Sequence, residues 1–505
     1  MHTPATVSLL PRLISENHLR SLLLLLLLVI LSACSSSTPP STPANQTLPL
    51  EDCVLTASDS NPQLDARCGT LTVFENPQTQ TGRQIDLHLA VIPAVSRNPA
   101  PDPLFFLTGG PGQAATESFL SVQAAFRDIN RNRDIVLVDQ RGTGQSHPLR
   151  CEFPENIETD KNTDLAPLLE TCLAELDADP TLYTTAIAMH DLEQVRQALG
   201  YGQINLYGLS YGTRAALTYL HLYPENVRTV ILDGVVPQQV NLGLDVAADA
   251  QNALNLIFAR CANDPTCAEN FPDLPARFNA ILTQLDEAPS PVRVTNPISA
   301  EMLEFDFTRE MFTLVIRFYS YSPETVALLP LLISTAQEDY TRLASQYLIL
   351  TADLTATINN AMSYSVQCAE DVPFYTAEQS AQAAEGTYLG EMVSGGLLEI
   401  CKTWPRGVIP PDFKNPVQSD VPVLLLSGEH DPVTPPANAD LAAETLPNSL
   451  HLIAPGQGHN VIIRGCLAEL AEQFLVNGNF EGLDTTCVND IEPFPFFINF
   501  SGPTP

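Results

Sequence analysis

Five consecutive residues restrict this chain more than any others: Gly208-Leu209-Ser210-Tyr211-Gly212. A short apolar run from Ile204 leads into them, and a run with helical spacing follows through Leu217. A serine between two glycines on a sharp strand-to-helix turn is a nucleophile elbow. Glycine is required two residues either side because a side chain there would crowd the turn. The turn holds the hydroxyl clear of the chain, and the following helix points its positive end at it. The competing reading is a turn serine that merely caps a helix, an ordinary N-cap role.

The surroundings of the elbow predict an α/β fold. Segments 68–74 and 84–92 read as two strands; the second alternates Ile85, Leu87, Leu89 and Val91 before Pro93 ends it. Segments 103–108, 133–139, 204–209 and 228–232 read as short buried strands, and 184–199 as an amphipathic helix closed by Gly200 and Gly202. Strand–helix alternation of this kind predicts a mostly parallel sheet with helices on both faces. From 237 the pattern becomes helix after helix, over 242–260, 275–285, 308–319 and 323–338, and strands return only at 421–427 and 449–454. The expected architecture is an α/β-hydrolase fold: core over 50–236 and 416–505, with an inserted helical cap over 237–415 lying on the strand ends where ligands bind.

Two of the late strands end in chemistry. Asp431 follows 423–427, and His459 follows 450–454 within Pro455-Gly456-Gln457-Gly458-His459-Asn460. The order Ser210, Asp431, His459 is the α/β-hydrolase order of nucleophile, acid and base. In that arrangement His459 takes the Ser210 proton and returns it to the leaving group, while Asp431 holds the imidazole in one tautomer and stabilises its cation. Glu429 and Asp440 sit less naturally at a strand end, and His430 adjoins the acid itself. Taken separately, Asp431 also fits an Asx turn before Pro432, and His459 a surface loop. Backbone N–H groups of Gly109, Gly110 and Tyr211 are the expected oxyanion donors, because the glycine-rich turn Gly109-Gly110-Pro111-Gly112 directly follows a strand. A second glycine-rich loop, Asp139 to Ser146, follows the next one.

Composition limits the partners. With 58 acidic and 24 basic residues the formal charge is -34, which repels nucleic acid and anionic lipid headgroups. Segment 1–33 reads as a targeting segment: Arg12 and Arg20 precede the unbroken apolar stretch from Leu22 to Leu31, too short to span a bilayer comfortably. Leu31-Ser32-Ala33-Cys34 resembles the lipid-attachment box of bacterial lipoproteins, which implies cleavage before Cys34, acylation of its sulfur and a membrane anchor without a spanning helix. An ordinary secretory signal is the alternative. Residues 34–49, rich in Ser, Thr and Pro, then form a flexible tether. The expected location is the bacterial cell envelope, on the outer membrane, or the exterior.

Ten further cysteines, an even number, agree with an oxidising compartment. Pairing of neighbours is the simplest arrangement: Cys53 with Cys68, Cys151 with Cys172, Cys261 with Cys267, Cys368 with Cys401, and Cys466 with Cys487. Sequence alone leaves the connectivity open. No cysteine–histidine spacing calls for a metal, and the glycine runs fit an oxyanion loop better than a nucleotide cradle, so no cofactor is expected.

Taken together, Gly109-Gly110-Pro111-Gly112, Asp139-Gln140-Arg141-Gly142-Thr143-Gly144-Gln145-Ser146 and Gly208-Leu209-Ser210-Tyr211-Gly212 resemble the signature of prolyl iminopeptidases and tripeptidyl aminopeptidases. The resemblance covers most of 74–233 and resumes over 421–459, and the segment around Cys466 resembles the tail of the secreted tripeptidyl type. It implies a serine peptidase that removes residues or short peptides from a free N-terminus. Relatives usually carry histidine where this chain has Thr108, a departure that touches the anchoring of the loop rather than its backbone donors. The resemblance also implies cap carboxylates for the substrate ammonium, and Glu370, with Asp371 second, occupies the matching region. Two readings compete: a carboxylesterase or lipase, since the same triad cleaves esters, and a catalytically silent, lipid-tethered binding protein.

Overall fold

The computed structural model describes residues 48–56, 63–153, 164–337 and 339–503. The targeting segment, Cys34 and nearly all of the tether lie outside the described residues. Among the described residues nine strands form one sheet: β1 (Glu51–Thr56), β2 (Gln63–Phe74), β3 (Gln84–Ile92), β4 (Leu104–Leu107), β5 (Ile135–Val138), β6 (Ile204–Leu209), β7 (Val227–Asp233), then β10 (Val423–Gly428) and β11 (Ser449–Ala454). The spatial order is β1-β2-β3-β5-β4-β6-β7-β10-β11. Pairing is antiparallel from β1 through β5 by way of β3, and parallel from β5 to β11. β8 (Ser290–Thr295) and β9 (Met302–Phe307) form a separate antiparallel hairpin.

The central strands are apolar because both faces are covered. Every residue of β4, β5, β6 and β10 is buried, the pattern of a parallel sheet between helical layers. β3 alternates exposed and buried residues at its start and is buried on both faces at its end, where it meets β5. The large helical insertion between β7 and β10 covers the site as a cap, with its own core in which Phe278 meets Phe258, Phe312 and Tyr388.

Several expectations change in detail. The cap is not wholly helical, since it contains the β8–β9 hairpin. β1 and the first half of β2 extend the sheet beyond the expected pair. The helix expected over 323–338 divides into Pro323–Val326 and Leu329–Ala336. Pro330 explains the division: it lacks an N–H and its ring would clash with the carbonyl four residues earlier. The chain end does not stay on the sheet; Phe496 packs under Arg260 of the cap, 3.9 Å from guanidinium to ring centre, and Phe497 N–H donates to Ala327 O.

Five disulfides join sequence neighbours: Cys53–Cys68, Cys151–Cys172, Cys261–Cys267, Cys368–Cys401 and Cys466–Cys487. Among the described residues no helix is long and apolar enough to cross a membrane.

Candidate active site

The elbow is built from backbone constraint. Ser210 has φ 55° and ψ -123°, a conformation that L-residues seldom adopt. Its side chain makes no capping hydrogen bond to the helix Tyr211–Leu222, so its role is not that of an N-cap. Both flanking glycines are sterically required. A Cβ on Gly208 would stand 2.5 Å from Gly212 O, and one on Gly212 would stand 2.1 Å from Leu107 O. Ser210 N–H donates to Asp233 O at 2.9 Å, which locks the turn onto the end of β7.

Asp431 and His459 meet above the same strand ends. The His459 Nδ1 to Asp431 Oδ2 distance is 2.7 Å. The other carboxylate oxygen accepts the N–H groups of Val433 and Thr434, each at 2.9 Å, and Thr434 Oγ1 donates to Asp431 Oδ2 at 2.7 Å. Burial alone would raise the Asp431 carboxyl, yet the charge and hydrogen bond of His459, with the two hydrogen bonds from Thr434, hold it below its ordinary value. Burial would likewise lower the imidazole, but Asp431, with Asp233 behind it, raises it above the usual histidine value. A Cβ on Gly234 would lie 2.9 Å from His459 Cε1. Ser210 and His459 therefore both abut the Asp233–Gly234 corner. Among the described residues no hydrogen bond joins the Ser210 hydroxyl to His459; such bonds often tighten only with substrate in place.

Two of the rival groups are engaged elsewhere. Glu429 accepts Gly456 N–H at 2.8 Å, and Asp440 pairs with His451 at 2.8 Å. His430 is buried, which lowers its basicity, and its Nδ1 has no hydrogen-bond partner among the described residues.

The glycine loop lies against the elbow: a Cβ on Gly109 would be 3.1 Å from Ser210 Cβ. The cap holds this loop from above, where Asn359 N–H and Nδ2 both donate to Gly112 O at 2.9 Å. The Thr108 hydroxyl is buried with no hydrogen-bond partner among the described residues. Tyr211, first residue of the nucleophile helix, leaves its N–H free of the helical ladder by position. The second glycine loop is an internal brace. Asp139 accepts Thr116 N–H and Oγ1 at 3.0 and 2.8 Å, and Arg141, fully buried, forms a bidentate pair with Asp191 at 2.6 and 2.9 Å.

Glu370 and Asp371 end the cap helix Asn360–Glu370, and both are fully buried. They face different partners. Glu370 accepts Thr185 N–H at 2.6 Å and Thr185 Oγ1 at 2.8 Å, and Thr185 Oγ1 is also 2.7 Å from Tyr211 Oη. Burial raises Glu370 to about 7, against the pull of Arg214 and Thr185. Asp371 instead pairs with Arg214 at 2.8 Å and accepts Leu242 N–H at 2.9 Å. Sequence reasoning missed Thr434, Thr185 and Arg214, whose types are too common to signal a site. It also missed Asp249, on the cap helix Val246–Asn263, which burial, the neighbouring Asp245 and Asp431 raise to about 7.

Comparison with known proteins agrees with this construction. A family model described as alpha/beta hydrolase fold matches residues 102–266, and one described as TAP-like protein matches 386–487. The chain is similar to serine protease Hip1 of Mycobacterium tuberculosis, 25% identical over 83% of this chain and 87% of the relative. It is similar to a tripeptidyl aminopeptidase of Streptomyces coelicolor, 24% identical over 88% and 86%. It is also similar to carboxylesterase B of Mycobacterium tuberculosis, 25% identical over 85% and 88%. With its mixed sheet, its cap and these relatives, the chain is an α/β-hydrolase-fold protein of the serine-hydrolase type, related to the TAP-like proteins and tripeptidyl aminopeptidases.

Proposed function

We propose that the protein is a serine exopeptidase that releases a residue or short peptide from free N-termini. The observation that carries the hydrolase chemistry is the 2.7 Å Asp431–His459 pair at the Asp233–Gly234 corner that the strained Ser210 elbow also abuts, and the similarity to a tripeptidyl aminopeptidase favours free N-termini as its target. Ser210 Oγ attacks the scissile carbonyl carbon as His459 Nε2 accepts its proton. The oxyanion is received by backbone N–H groups of Tyr211, Gly109 and Gly110. Collapse breaks the C–N bond while His459 protonates the departing amine, and water, deprotonated by His459, then cleaves the acyl ester. The five disulfides support an exported protein, and acylation of Cys34 would tether it to the envelope.

A second reading, a carboxylesterase, is favoured by the similarity to carboxylesterase B. Cleavage of unblocked prolyl, alanyl and tripeptidyl amides, their N-blocked counterparts and short acyl esters separates the readings. Cleavage of unblocked amides alone, lost in S210A, supports the exopeptidase and gives the length released. Preference for esters regardless of blocking supports the esterase. No turnover of any member leaves a silent binding protein.

For the substrate ammonium we propose Glu370 ahead of Asp371, which is already paired with Arg214. E370Q is expected to raise KM for unblocked peptides and leave ester KM unchanged; equal KM on both would remove the role. The same variant carries a stability expectation. A carboxyl raised from 4.5 to about 7 by folding loses stability as pH rises from the lower value to the higher. The loss is complete above the higher value, at about 3 kcal/mol. The glutamine oxygen still accepts Thr185 N–H, and its amide N–H donates to Thr185 Oγ1, which reverses that bond without a buried charge. Urea denaturation is therefore expected to show E370Q more stable than wild type at pH 8 and no more stable at pH 4.

A further inference from the structure

The cap reaches the histidine loop as well as covering the site. Its turn at 320–322, between the helices Arg309–Tyr319 and Pro323–Val326, lies directly on that loop. His459 N–H donates to Tyr321 O at 2.7 Å. The Tyr321 ring meets the imidazole edge-on, with centres 5.3 Å apart and planes at 74°. One residue earlier the approach is closer: a Cβ on Gly458 would stand 2.3 Å from Tyr321 O, so a side chain there would separate the two segments. Beyond the histidine, Arg464 grips Glu324 with both terminal nitrogens, Nη2 to Oε2 at 2.9 Å. Arg317, one helical turn before Tyr321, donates from Nη2 to Tyr321 Oη at 3.2 Å and lies over the Phe318 and Tyr321 rings.

We propose that this cap turn is a positioning device for His459, in which Tyr321 fixes the imidazole plane and Arg317 holds Tyr321 in place. The inference rests on the reading of His459 as general base. The contacts at Nδ1, with Asp431 at 2.7 Å and the Thr434 hydroxyl at 3.1 Å, all gather at one corner of the ring and leave its far side free to tilt, whereas an edge-on aromatic and a main-chain bond to the same segment remove the freedom. The charged and titratable groups facing His459 come from three directions. Asp431 lies on the loop after β10, Asp233 ends β7, and Arg317 and Tyr321 lie on the cap. The two acids favour the imidazolium; Arg317 opposes it.

The test uses the full protein with R317Q, R317K, Y321A and Y321F. His459 is titrated by NMR, its resonance identified by loss in H459N, alongside kcat, KM and the pH profile of kcat/KM. R317Q is expected to move the His459 titration and the acid limb of kcat/KM together to higher pH, and R317K to restore both. Y321A is expected to lower kcat by about tenfold to a hundredfold at unchanged KM, and Y321F, which keeps the ring, to recover most of it. A wild-type His459 titration in R317Q, or a Y321A defect confined to KM, would overturn the proposal. Labelling of Ser210 by a fluorophosphonate tests the hydrolase reading separately: without it that reading fails, while the NMR titration still decides the role of the cap turn.

Discussion

S210A is expected to lower kcat by about 10⁶-fold, the order seen when the nucleophile is removed from a working triad, while leaving the fold intact. The two halves of this expectation have separate causes. On the proposed mechanism catalysis fails because Ser210 is the nucleophile, held in the elbow against the glycine loop and abutting the same Asp233–Gly234 corner as His459. Stability holds because the side chain caps nothing, and the backbone bonds Ser210 N–H to Asp233 O and Thr213 N–H to Ser210 O do not involve it. Alanine keeps the strained φ of 55°, so the change in stability should stay within about 0.5 kcal/mol. S210G should be equally inactive, yet glycine accepts that φ without strain, which offsets its larger loss of chain entropy. Turnover of the best amide or ester, set beside urea denaturation of the three proteins, checks both halves. Substantial turnover in S210A would place the chemistry at another residue.

The elbow was legible in the sequence because its constraint is local. Two glycines four residues apart answer to contacts of 2.5 and 2.1 Å that no other side chain survives. The meeting of Asp431 with His459 was legible because each follows a strand recognisable by its apolar run. Their common support was not, since Thr434 is an unremarkable threonine until its hydroxyl is seen 2.7 Å from Asp431 and 3.1 Å from His459. The hairpin β8–β9 carries alternation, with Val292, Val294 and Phe307 buried, but short strands among long helical runs lost to the stronger helical period. The paired acids show where adjacency misleads. Glu370 and Asp371 are neighbours in sequence, yet at the end of their helix one turns to Thr185 and the other to Arg214. Only the fold could say that Arg214, 157 residues from Asp371, would be its partner.

D371A is expected to cost about 3 to 5 kcal/mol, the loss typical when one member of a buried ion pair is removed, against a total stability on the order of 5 to 15 kcal/mol. Arg214 and Asp371 are both fully buried at 2.8 Å, so neither charge has water to fall back on. The same Asp371 oxygen accepts Leu242 N–H at the entrance to the cap, and Lys414 stands 3.6 Å away. Without the carboxylate, two cations remain in one buried region. Lys414 is already depressed to about 8 by burial and then by Arg214, with Asp371 and Glu370 opposing the shift. Removing Asp371 should depress it further, so Lys414 sheds its proton more readily in the folded variant. Since unfolded lysine keeps its proton to higher pH, folding of the variant then improves as pH rises. The stability deficit of D371A should therefore shrink between pH 6 and pH 9, and K414M in the same background should recover part of it at pH 6. D371N, which keeps an oxygen for Arg214 and Leu242, should lose less than D371A. The single tryptophan, Trp404, is buried in the cap with its indole N–H on Ser365 Oγ at 3.1 Å, so its fluorescence in urea reports this region directly. Unfolding of D371A at the wild-type urea concentration would show that the pair contributes nothing net, and would return Asp371 to the acids available for a substrate ammonium.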